Sequence, residues 1–285
     1  MKLTHIDQEL QLLLKNNLYE AVLSWLQGKI DTIIETESAK DLYLTYSLLA
    51  SKVEGQKKLV IDVQNEILAD YLKAQQAGVL EIARIYLLSS VLSKNGRFFR
   101  PKVANLIQVA DSGELVTLLK YLILLPDAEN YKHVAVEALR TNIATVFEAI
   151  SMKNPYPEQF FNDQQWNQMY LKAAFMQLDL SNILGVDKRA NKDLTRIISD
   201  YAHERWAASR DIDPLFWRPV SGFLDDNLLL DMERLLKSDN TLENKAGALC
   251  CYHSNKTEAR ELLKKYTELF EKVTNKKVTW DTLKN

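Results

Sequence analysis

The sequence predicts an all-α protein, and three observations support that prediction. Apolar residues recur every three or four positions along almost the whole chain, and strict alternation of apolar and polar residues never extends beyond a few positions. The 285 residues include only 8 glycines and 6 prolines, too few for many short strands joined by tight turns. The connections between periodic segments are short, which favours antiparallel helix hairpins stacked as an irregular α-solenoid or superhelix.

The apolar periodicity also gives the approximate bounds of each helix. The predicted helices span residues 5–15, 18–36, 39–53, 59–76, 79–93, 100–110, 112–125, 128–151, 163–178, 190–209, 213–222, 225–237, 241–253 and 256–273. We predict a loop at 93–101, which contains an Asn-Gly turn dipeptide at 95–96. We predict a second loop at 151–163, where Pro155 and Pro157 each hold the preceding residue out of the α region. This second loop divides the chain near its middle.

The helices are expected to form one helical-repeat domain over residues 1–275, with lobes 1–152 and 153–275 as a further division and 276–285 as a C-terminal tail. The repeats are plainest in 228–266, which is predicted to contain three helices separated by polar turns. Its middle helix carries small residues that let neighbouring helices approach closely, as in HEAT-like repeats: Ala246, Gly247, Ala248, Cys250 and Cys251. Because no fixed period runs the length of the chain, the repeats are degenerate.

The charge balance argues against nucleic acid as a partner. The chain has 36 basic and 38 acidic residues, so no overall field would recruit nucleic acid or an anionic membrane. The most apolar segments, 82–92 and 118–125, are shorter than the roughly 20 residues that a membrane-spanning helix needs. We therefore expect core helices there and no integral membrane segment. Near the start, charged residues interrupt the apolar ones, unlike a secretory signal.

The two cysteines, Cys250 and Cys251, are adjacent and would point about 100° apart on a helix. That geometry is poor for a disulfide bond, and the chain has no C-x-x-C spacing typical of zinc sites. The favoured interpretation is two small buried residues in a reduced compartment, with a reactive thiol as the alternative. We expect the protein to be cytoplasmic.

The segment DYAHERWAA (200–208) concentrates polar residues on one predicted helix. At about 100° per residue, Asp200, His203 and Glu204 share a polar arc, whereas Arg205 falls inside the apolar arc. A guanidinium that faces a core must find a carboxylate or carbonyl partner, because an unpaired buried charge is costly. Arg205 is therefore either a structural tie or a ligand clamp.

The spacing of Asp200, His203 and Glu204 lets them approach one another on a helix face, which makes metal ligation geometrically possible. The pattern differs from H-E-x-x-H, and no other histidine offers an obvious completing ligand, so we predict no metal. A solvent-facing or inter-helix hydrogen-bonding role is the favoured interpretation. General acid/base catalysis by His203 with a neighbouring carboxylate is the alternative.

The helix predicted around 131–150 carries polar residues beside its apolar side. Asn142 lies at one edge of that side, and Glu137 and Arg140 lie beyond the opposite edge, one turn apart.

The helix predicted around 164–178 is apolar in nearly every direction, which indicates a mostly buried helix. Asn167, Gln168 and Lys172 must then be satisfied inside the protein or line a cavity. Paired polar residues that fix helix register are the favoured explanation, and a shared polar pocket is the alternative.

Asp225, Asp226 and Asp231 resemble the aspartate-rich motifs with which all-α prenyl synthases hold magnesium diphosphate. On a regular helix, however, Asp231 points about 120° away from Asp225, and no second such motif exists. Acids at a helix N-terminus explain the pair at 225–226 better. The chain also has no P-loop, dinucleotide-binding glycine pattern or Gly-x-Ser-x-Gly motif, so we predict no cofactor.

Three central segments resemble, in order and approximate spacing, the signature of EboA-type proteins. They are EALRTNIATVFEAISMKNPYPEQFF, WNQMYLKAAF and RANKDLTRIISDYAHERWAASR. The N-terminal segments AVLSWL, LLASKVEG and EIARIYLLSSVL are similar to that family more loosely. The resemblance is specific across roughly residues 134–210 and fades toward the C-terminus.

The resemblance implies a cellular context and not a mechanism. EboA-type proteins are encoded in bacterial ebo gene clusters beside a UbiA-type prenyltransferase, a metal-dependent hydrolase and TIM-barrel or sugar-phosphate-cyclase-like enzymes. These clusters are associated with handling of a specialised metabolite, including movement of a precursor to the periplasm. No reaction and no catalytic residues come with the resemblance.

Two functional hypotheses follow from the residues and the resemblance together. The favoured one is a non-catalytic scaffold of helical repeats that binds a small polar metabolite or a partner enzyme of its gene cluster and assists precursor processing or export. Its polar pocket would draw on Glu137, Arg140, Asn142, Asn154, Tyr156, Trp166, Asn167, Lys172, Arg189, Asn191, Asp200, His203, Glu204 and Arg205. The alternative is an enzyme in which His203 or Lys172 performs acid/base chemistry on that metabolite.

Overall fold

The computed structural model describes residues 6–53 and 58–283. Within these ranges it contains helices, turns and one isolated bridge between Lys58 and Gly78, but no strand, which confirms the all-α prediction. No helix in the described part of the chain combines the length and the apolar character needed to cross a membrane.

The chain divides into two compact units, Met1–Phe160 and Phe161–Asn285. The solenoid arrangement, the HEAT-like repeats and the predicted domain limits stay predictions. Residue 5 of the first predicted helix and residues 284–285 of the predicted tail lie outside the described residues.

The first unit is built around one long helix. Its α-helices are α1 (Ile6–Asn17), α2 (Glu20–Thr36), α3 (Ala39–Lys52), α4 (Glu66–Ala74), α5 (Val79–Ala104), α6 (Leu106–Val109), α7 (Ser112–Tyr121), α8 (Lys132–Ala138), α9 (Ala144–Ser151) and α10 (Tyr156–Phe160). Short 3-10 turns lie at Leu122–Leu124 and Ala128–Tyr131. α5 packs against α1, α2, α3 and α7, and its residues 79–92 are mostly buried, as expected for a helix that is apolar in every direction.

The predicted loop at 93–101 is wrong, because α5 continues through it to Ala104. The backbone leaves the helical region only at Asn95, with φ −144° and ψ 67°. The Asn95 side chain then accepts a hydrogen bond of 3.1 Å from the Phe98 amide and so caps the helix that resumes after it. Phe99 is fully buried and anchors the resumed segment. The turn dipeptide therefore marks a kink, not a loop.

The single helix predicted at 128–151 is also wrong. Residues 139–143 are not helical and separate α8 from α9. In this break the Thr141 hydroxyl accepts a hydrogen bond of 3.1 Å from the Ile143 amide, a local bond that competes with the helical backbone pattern. Ile143, expected on the apolar side, is 49% exposed.

Several other predicted bounds also change. α4 begins at Glu66, and not at 59, because the Asn65 side chain caps it by accepting from the Leu68 amide at 3.1 Å. The predicted loop at 151–163 contains the short helix α10. The helix predicted at 256–273 is interrupted at residues 265–266.

The second unit is centred on a helix rich in small residues. Its α-helices are α11 (Asp163–Phe175), α12 (Val186–Arg189), α13 (Lys192–Ala207), α14 (Asp226–Leu236), α15 (Thr241–His253), α16 (Thr257–Lys264) and α17 (Thr267–Thr274). Shorter 3-10 segments lie at Leu180–Asn182, Pro214–Phe223 and Trp280–Leu283. α15 packs against α14, α16, α17 and the 3-10 segment Pro214–Phe223.

The small residues of α15 allow the close approach that the sequence predicts. A Cβ added at Gly247 would lie 3.0 Å from Leu235 Cβ in α14, closer than nearly all real side-chain contacts, so only glycine fits without a shift. Cys250 and Cys251 are buried and free, which confirms the predicted role as small core residues. The Cys250 thiol donates a hydrogen bond of 3.3 Å to the Trp217 carbonyl.

We predict that neither cysteine reacts with a thiol reagent in the native protein. Burial raises the pKa of Cys251 to about 12 and that of Cys250 further, so neither forms a thiolate at mildly alkaline pH. Titration with dithionitrobenzoate should detect no thiol in the native protein and both thiols in denaturant. Stoichiometric reaction of either cysteine before unfolding would contradict the packing described for α15.

Because the chain has few glycines, several helices are followed by a non-glycine residue in the left-handed conformation. Glu37, Gln76, Gln177, Ser209 and Lys276 each follow a helix in the left-handed region, with φ between 48° and 57°. At the end of α4 the Ala77 amide donates to the Leu72 carbonyl and the Gln76 amide to the Lys73 carbonyl, at 2.9 and 3.0 Å. This is the Schellman pattern, in which glycine is the usual residue. A side chain at such a position costs about 1 kcal/mol.

We predict that Gln76→Gly raises the free energy of unfolding by up to about 1 kcal/mol, because glycine adopts this conformation without strain at Cβ. Lys73→Gly, inside the same helix, is the matched control and should lower the free energy by about 0.5 kcal/mol. Urea denaturation followed by circular dichroism measures both changes. Loss of stability in Gln76→Gly would show that the side chain contributes more than the backbone strain costs.

Candidate functional site

Asn154 and Tyr156, in the first unit, have structural roles. The buried Asn154 amide donates to the Leu119 carbonyl at 3.0 Å and to the Ala149 carbonyl at 2.8 Å. These carbonyls lie in the last turns of α7 and α9, where helix carbonyls have no intrahelical partner. Asn154 also accepts from the Tyr156 amide at 2.9 Å, and the Tyr156 hydroxyl donates to the Ala128 carbonyl at 2.7 Å. Asn154 thus closes two helix ends at once.

The other candidates of the first unit lie on its surface. Glu137 and Arg140 are exposed and form an ion pair with each other at 2.9 Å. Asn142 is exposed in the break between α8 and α9. None of these three residues lines either of the two cavities described below.

Trp166, Asn167, Arg189 and Asn191 come together in the second unit. The side-chain amides of Asn167 and Asn191 donate to each other at 3.1 and 2.8 Å, and Asn191 also caps α13 by accepting from the Leu194 amide at 2.9 Å. These bonds join α11 to the start of α13. The arrangement is the closed, register-fixing one that the sequence favoured for Asn167.

Arg189 completes this cluster. Its guanidinium lies over the Trp166 ring at 5.2 Å and pairs with Asp163 at 3.2 Å. Lys172, nine residues further along α11 from Asp163, is half-buried, and burial lowers its pKa. Trp166 is fully buried.

The polar arc of α13 divides into solvent-facing and paired residues. Asp200 and Glu204 are exposed, and Asp200 lies 3.8 Å from Arg196. His203 Nε2 lies 2.6 Å from Asp231 Oδ1, and the same buried carboxylate accepts from the Ser199 hydroxyl at 2.7 Å. The described residues hold no group of three or more His, Cys, Asp or Glu side chains arranged to bind a metal.

Asp231 is the partner of His203 that sequence reasoning missed. It lies on α14 between Leu228 and Leu235, which are buried, so its carboxylate sits on the apolar face of that helix. An acid among apolar positions was the signal that could have identified it. The contact makes the favoured role of His203, an inter-helix hydrogen bond, the one that the geometry supports.

Arg205 finds a carbonyl partner, which was one of the two partners expected. Its Nε and Nη2 donate to the Asp211 carbonyl at 3.0 and 2.6 Å, and its guanidinium lies 5.9 Å from the Tyr201 ring centre. Among the residues that the structure describes, no carboxylate lies within ion-pair distance of this guanidinium. Ser209 is the left-handed residue that ends α13, and the Arg210 amide donates back to the Arg205 carbonyl at 2.9 Å.

The loop that Arg205 holds contributes residues to the lining of two cavities. The first, which we call the Arg205 cavity, has a volume of about 590 Å³ and is lined by Ala174, Gln177, Tyr201, Arg205, Ser209, Arg210, Asp211, Ile212, Asp213, Pro214, Phe216, Asn240 and Leu242. The second, the Arg234 cavity, has a volume of about 710 Å³ and is lined by Trp206, Ser209, Arg210, Asp211, Leu230, Glu233, Arg234, Lys237, Ser238, Asp239 and Glu243. Residues 209–211 line both.

The Arg205 cavity is lined by aromatic rings, amides, two arginines and two aspartates. The rings of Tyr201 and Phe216 meet edge to face at 5.1 Å, and Gln177 and Asn240 contribute amide groups to the lining. At its edge, partial burial raises the pKa of Asp213, which accepts from the Leu215 amide at 2.8 Å.

Most residues of this lining were not among the sequence candidates. Gln177, Asp213 and Asn240 follow or precede helices, and they are far apart in the chain. The available signal was their type, because Asp and Asn before a helix are capping residues and mark its end. Of the predicted site residues, Arg205 is the one that lines either cavity.

The family model described as "Metabolite traffic protein EboA" matches residues 6–221. Comparison with curated proteins and comparison with solved structures gave no match. The matched range includes α11, α13 and the loop at 208–213. It ends before α14, which lines the Arg234 cavity, and before α15, which contributes residues to both cavities. Because the match covers more than half of the sequence, the chain belongs to the EboA family, as its central segments indicated.

Proposed function

We propose that this protein is a non-catalytic metabolite-binding member of the EboA family and that its ligand occupies the Arg205 cavity. The observation that carries the proposal is the state of Arg205. One edge of the guanidinium is fixed on the Asp211 carbonyl, while the residue lines a cavity of about 590 Å³ and has no carboxylate partner among the described residues. A cation held in place with spare donors is prepared for an anionic or strongly polar group.

The rest of the lining is suited to orient such a ligand. The Tyr201 ring and the Leu242 side chain, both half-buried, offer apolar surface, and the Gln177 and Asn240 amides offer both donors and acceptors. The cavity volume of about 590 Å³ lies within the range of about 300 to 1,000 Å³ that is typical of small-molecule sites. The ligand we propose is therefore a small metabolite with a planar or apolar part and a polar or anionic end.

The family description supports a role in metabolite handling and not a named reaction. We extend it as follows: the protein acts in the cytoplasm, within an ebo-type pathway, and holds a precursor for processing or export by enzymes of the same gene cluster. In this view the helical scaffold passes its ligand to a partner and does not change it.

We predict that Arg205→Ala abolishes retention of the ligand, because it removes the fixed cation from the cavity. The measurement is native mass spectrometry of the protein purified from cells that also express its cluster neighbours. Wild-type protein should carry an added small-molecule mass, and Gln177→Ala, which leaves the Asp211 contact intact, should reduce its occupancy. Arg196→Ala, an exposed arginine on the same helix, is the matched control and should retain the ligand.

Retention of the ligand by Arg205→Ala at the wild-type level, or an unliganded wild-type protein, would refute this site. A bound protein in place of a small molecule would support the partner-enzyme form of the hypothesis instead.

The enzyme hypothesis keeps one supporting observation, the contact between His203 and Asp231 at 2.6 Å, since a carboxylate that orients a histidine is common in acid/base catalysis. Against it, neither His203 nor Lys172 lines the Arg205 or the Arg234 cavity.

We predict that His203→Gln leaves the output of the pathway unchanged in cells. The free energy of unfolding should fall only slightly, because His203 is exposed although its partner Asp231 is buried. Metabolite profiling of cells that carry this substitution measures the effect. A loss of output of tenfold or more with normal protein levels would favour the enzyme hypothesis. His253→Gln, which alters a second exposed histidine, is the control.

A further inference from the structure

The Arg234 cavity contains an exposed guanidinium that lies on an aromatic ring and has no hydrogen-bond acceptor among the described residues. Arg234 lies over the Trp206 ring at 4.1 Å from its centre, and Trp206 in turn stacks on the fully buried Trp217 ring at 5.6 Å, with 22° between the planes. Stacking uses the face of a guanidinium and leaves its N–H donors, which lie in the plane, available. Within the described part of the chain, no side chain or carbonyl accepts from these donors.

The lining of this cavity carries unpaired charges of both signs. Lys237 and Glu233 pair with each other at 2.6 Å and cancel. Arg210 and Arg234 remain on the basic side, and three carboxylates remain on the acidic side: Asp211, Asp239 and Glu243. Among the described residues, none of these five forms an ion pair within 4.0 Å.

This combination selects against a ligand with a single charge. A simple anion in this cavity would be repelled by the three carboxylates of its lining, and a simple cation would be repelled by the two arginines. A zwitterion places a charge opposite each set. The Trp206 ring and Leu230, which is 66% exposed, supply an apolar wall for the rest of such a ligand.

We propose that the Arg234 cavity is a second binding site, for a zwitterion of the α-amino-acid type with an apolar side chain. The ligand carboxylate accepts from the Arg234 guanidinium, where a paired, two-bond contact is the preferred geometry. Its ammonium group donates to the carboxylates of Asp239 and Glu243, and its side chain lies against Trp206 and Leu230. The residues of α14 and α15 in this site lie beyond residue 221, outside the family match.

The test is isothermal titration calorimetry of the full-length protein with three probes that share a phenylethyl group and differ in the charged groups that they carry. L-phenylalanine is the zwitterion, phenethylamine lacks its carboxylate, and hydrocinnamate lacks its ammonium group. L-phenylalanine should bind with millimolar or tighter affinity and at least tenfold more tightly than either of the others. No binding of L-phenylalanine, or equal binding of the three probes, would overturn the proposal.

Two variants assign the binding to this cavity. Arg234→Gln should weaken L-phenylalanine at least tenfold, whereas Arg260→Gln, an exposed arginine on α16, should leave it unchanged. The double change Asp239→Asn with Glu243→Gln should remove the preference for L-phenylalanine over hydrocinnamate, and a preserved preference would refute the role of these carboxylates. Gln177→Ala, in the other cavity, should not affect the probes, so this proposal and the Arg205 site can fail separately.

Discussion

The structure depends on one constraint: each helix end exposes backbone groups that must find partners, and this chain has little glycine with which to close them. Side chains and strained backbone positions take over that task. Asn154 satisfies carbonyls at the ends of α7 and α9, Asn191 caps α13 while pairing with Asn167, and Arg205 holds the loop that follows α13. Three of the residues that look like a polar site in the sequence, Asn154, Asn191 and Arg205, therefore serve to close helix ends.

The all-α fold class could be predicted from the sequence because it follows from the spacing of apolar residues. The buried faces were predicted only in part, since Ile143 and Phe175 are exposed. The breaks between helices could not be predicted in the same way, because local side-chain hydrogen bonds and continuation of the helix differ little in free energy. At 93–101 the Asn-Gly turn dipeptide produces only a kink at Asn95, and the helix continues. At 139–143, where the sequence has no such dipeptide, a local hydrogen bond to the Thr141 hydroxyl accompanies the end of a helix. Which outcome occurs depends on tertiary anchors such as Phe99, and no pattern within a short window reports them.

The candidate site was predicted least well, and the reason is geometric. Helical periodicity identifies residues that share a face of one helix, but the two cavities are built where several helices end. Arg205 could be identified because it is a cation on the helix face where the periodicity predicts apolar residues. Asp231 could have been found by the same reasoning, since it is an acid on the apolar arc of α14. Gln177 and Asn240 are polar residues at polar positions near helix ends, so the local sequence does not single them out. Only the folded second unit shows that both line the Arg205 cavity.

The loop that Arg205 holds forms a wall common to the two cavities, so a change in one cavity can alter the other. Residues 209–211 form part of both linings, and Ser209 sits in a left-handed conformation that offers few alternatives. An occupant of one cavity that displaces this shared wall necessarily reshapes the other. Thermodynamic linkage makes such an effect reciprocal, so each ligand would change the affinity for the second by the same factor. If both proposed sites bind their ligands, the arrival of one ligand would therefore change the retention of the other.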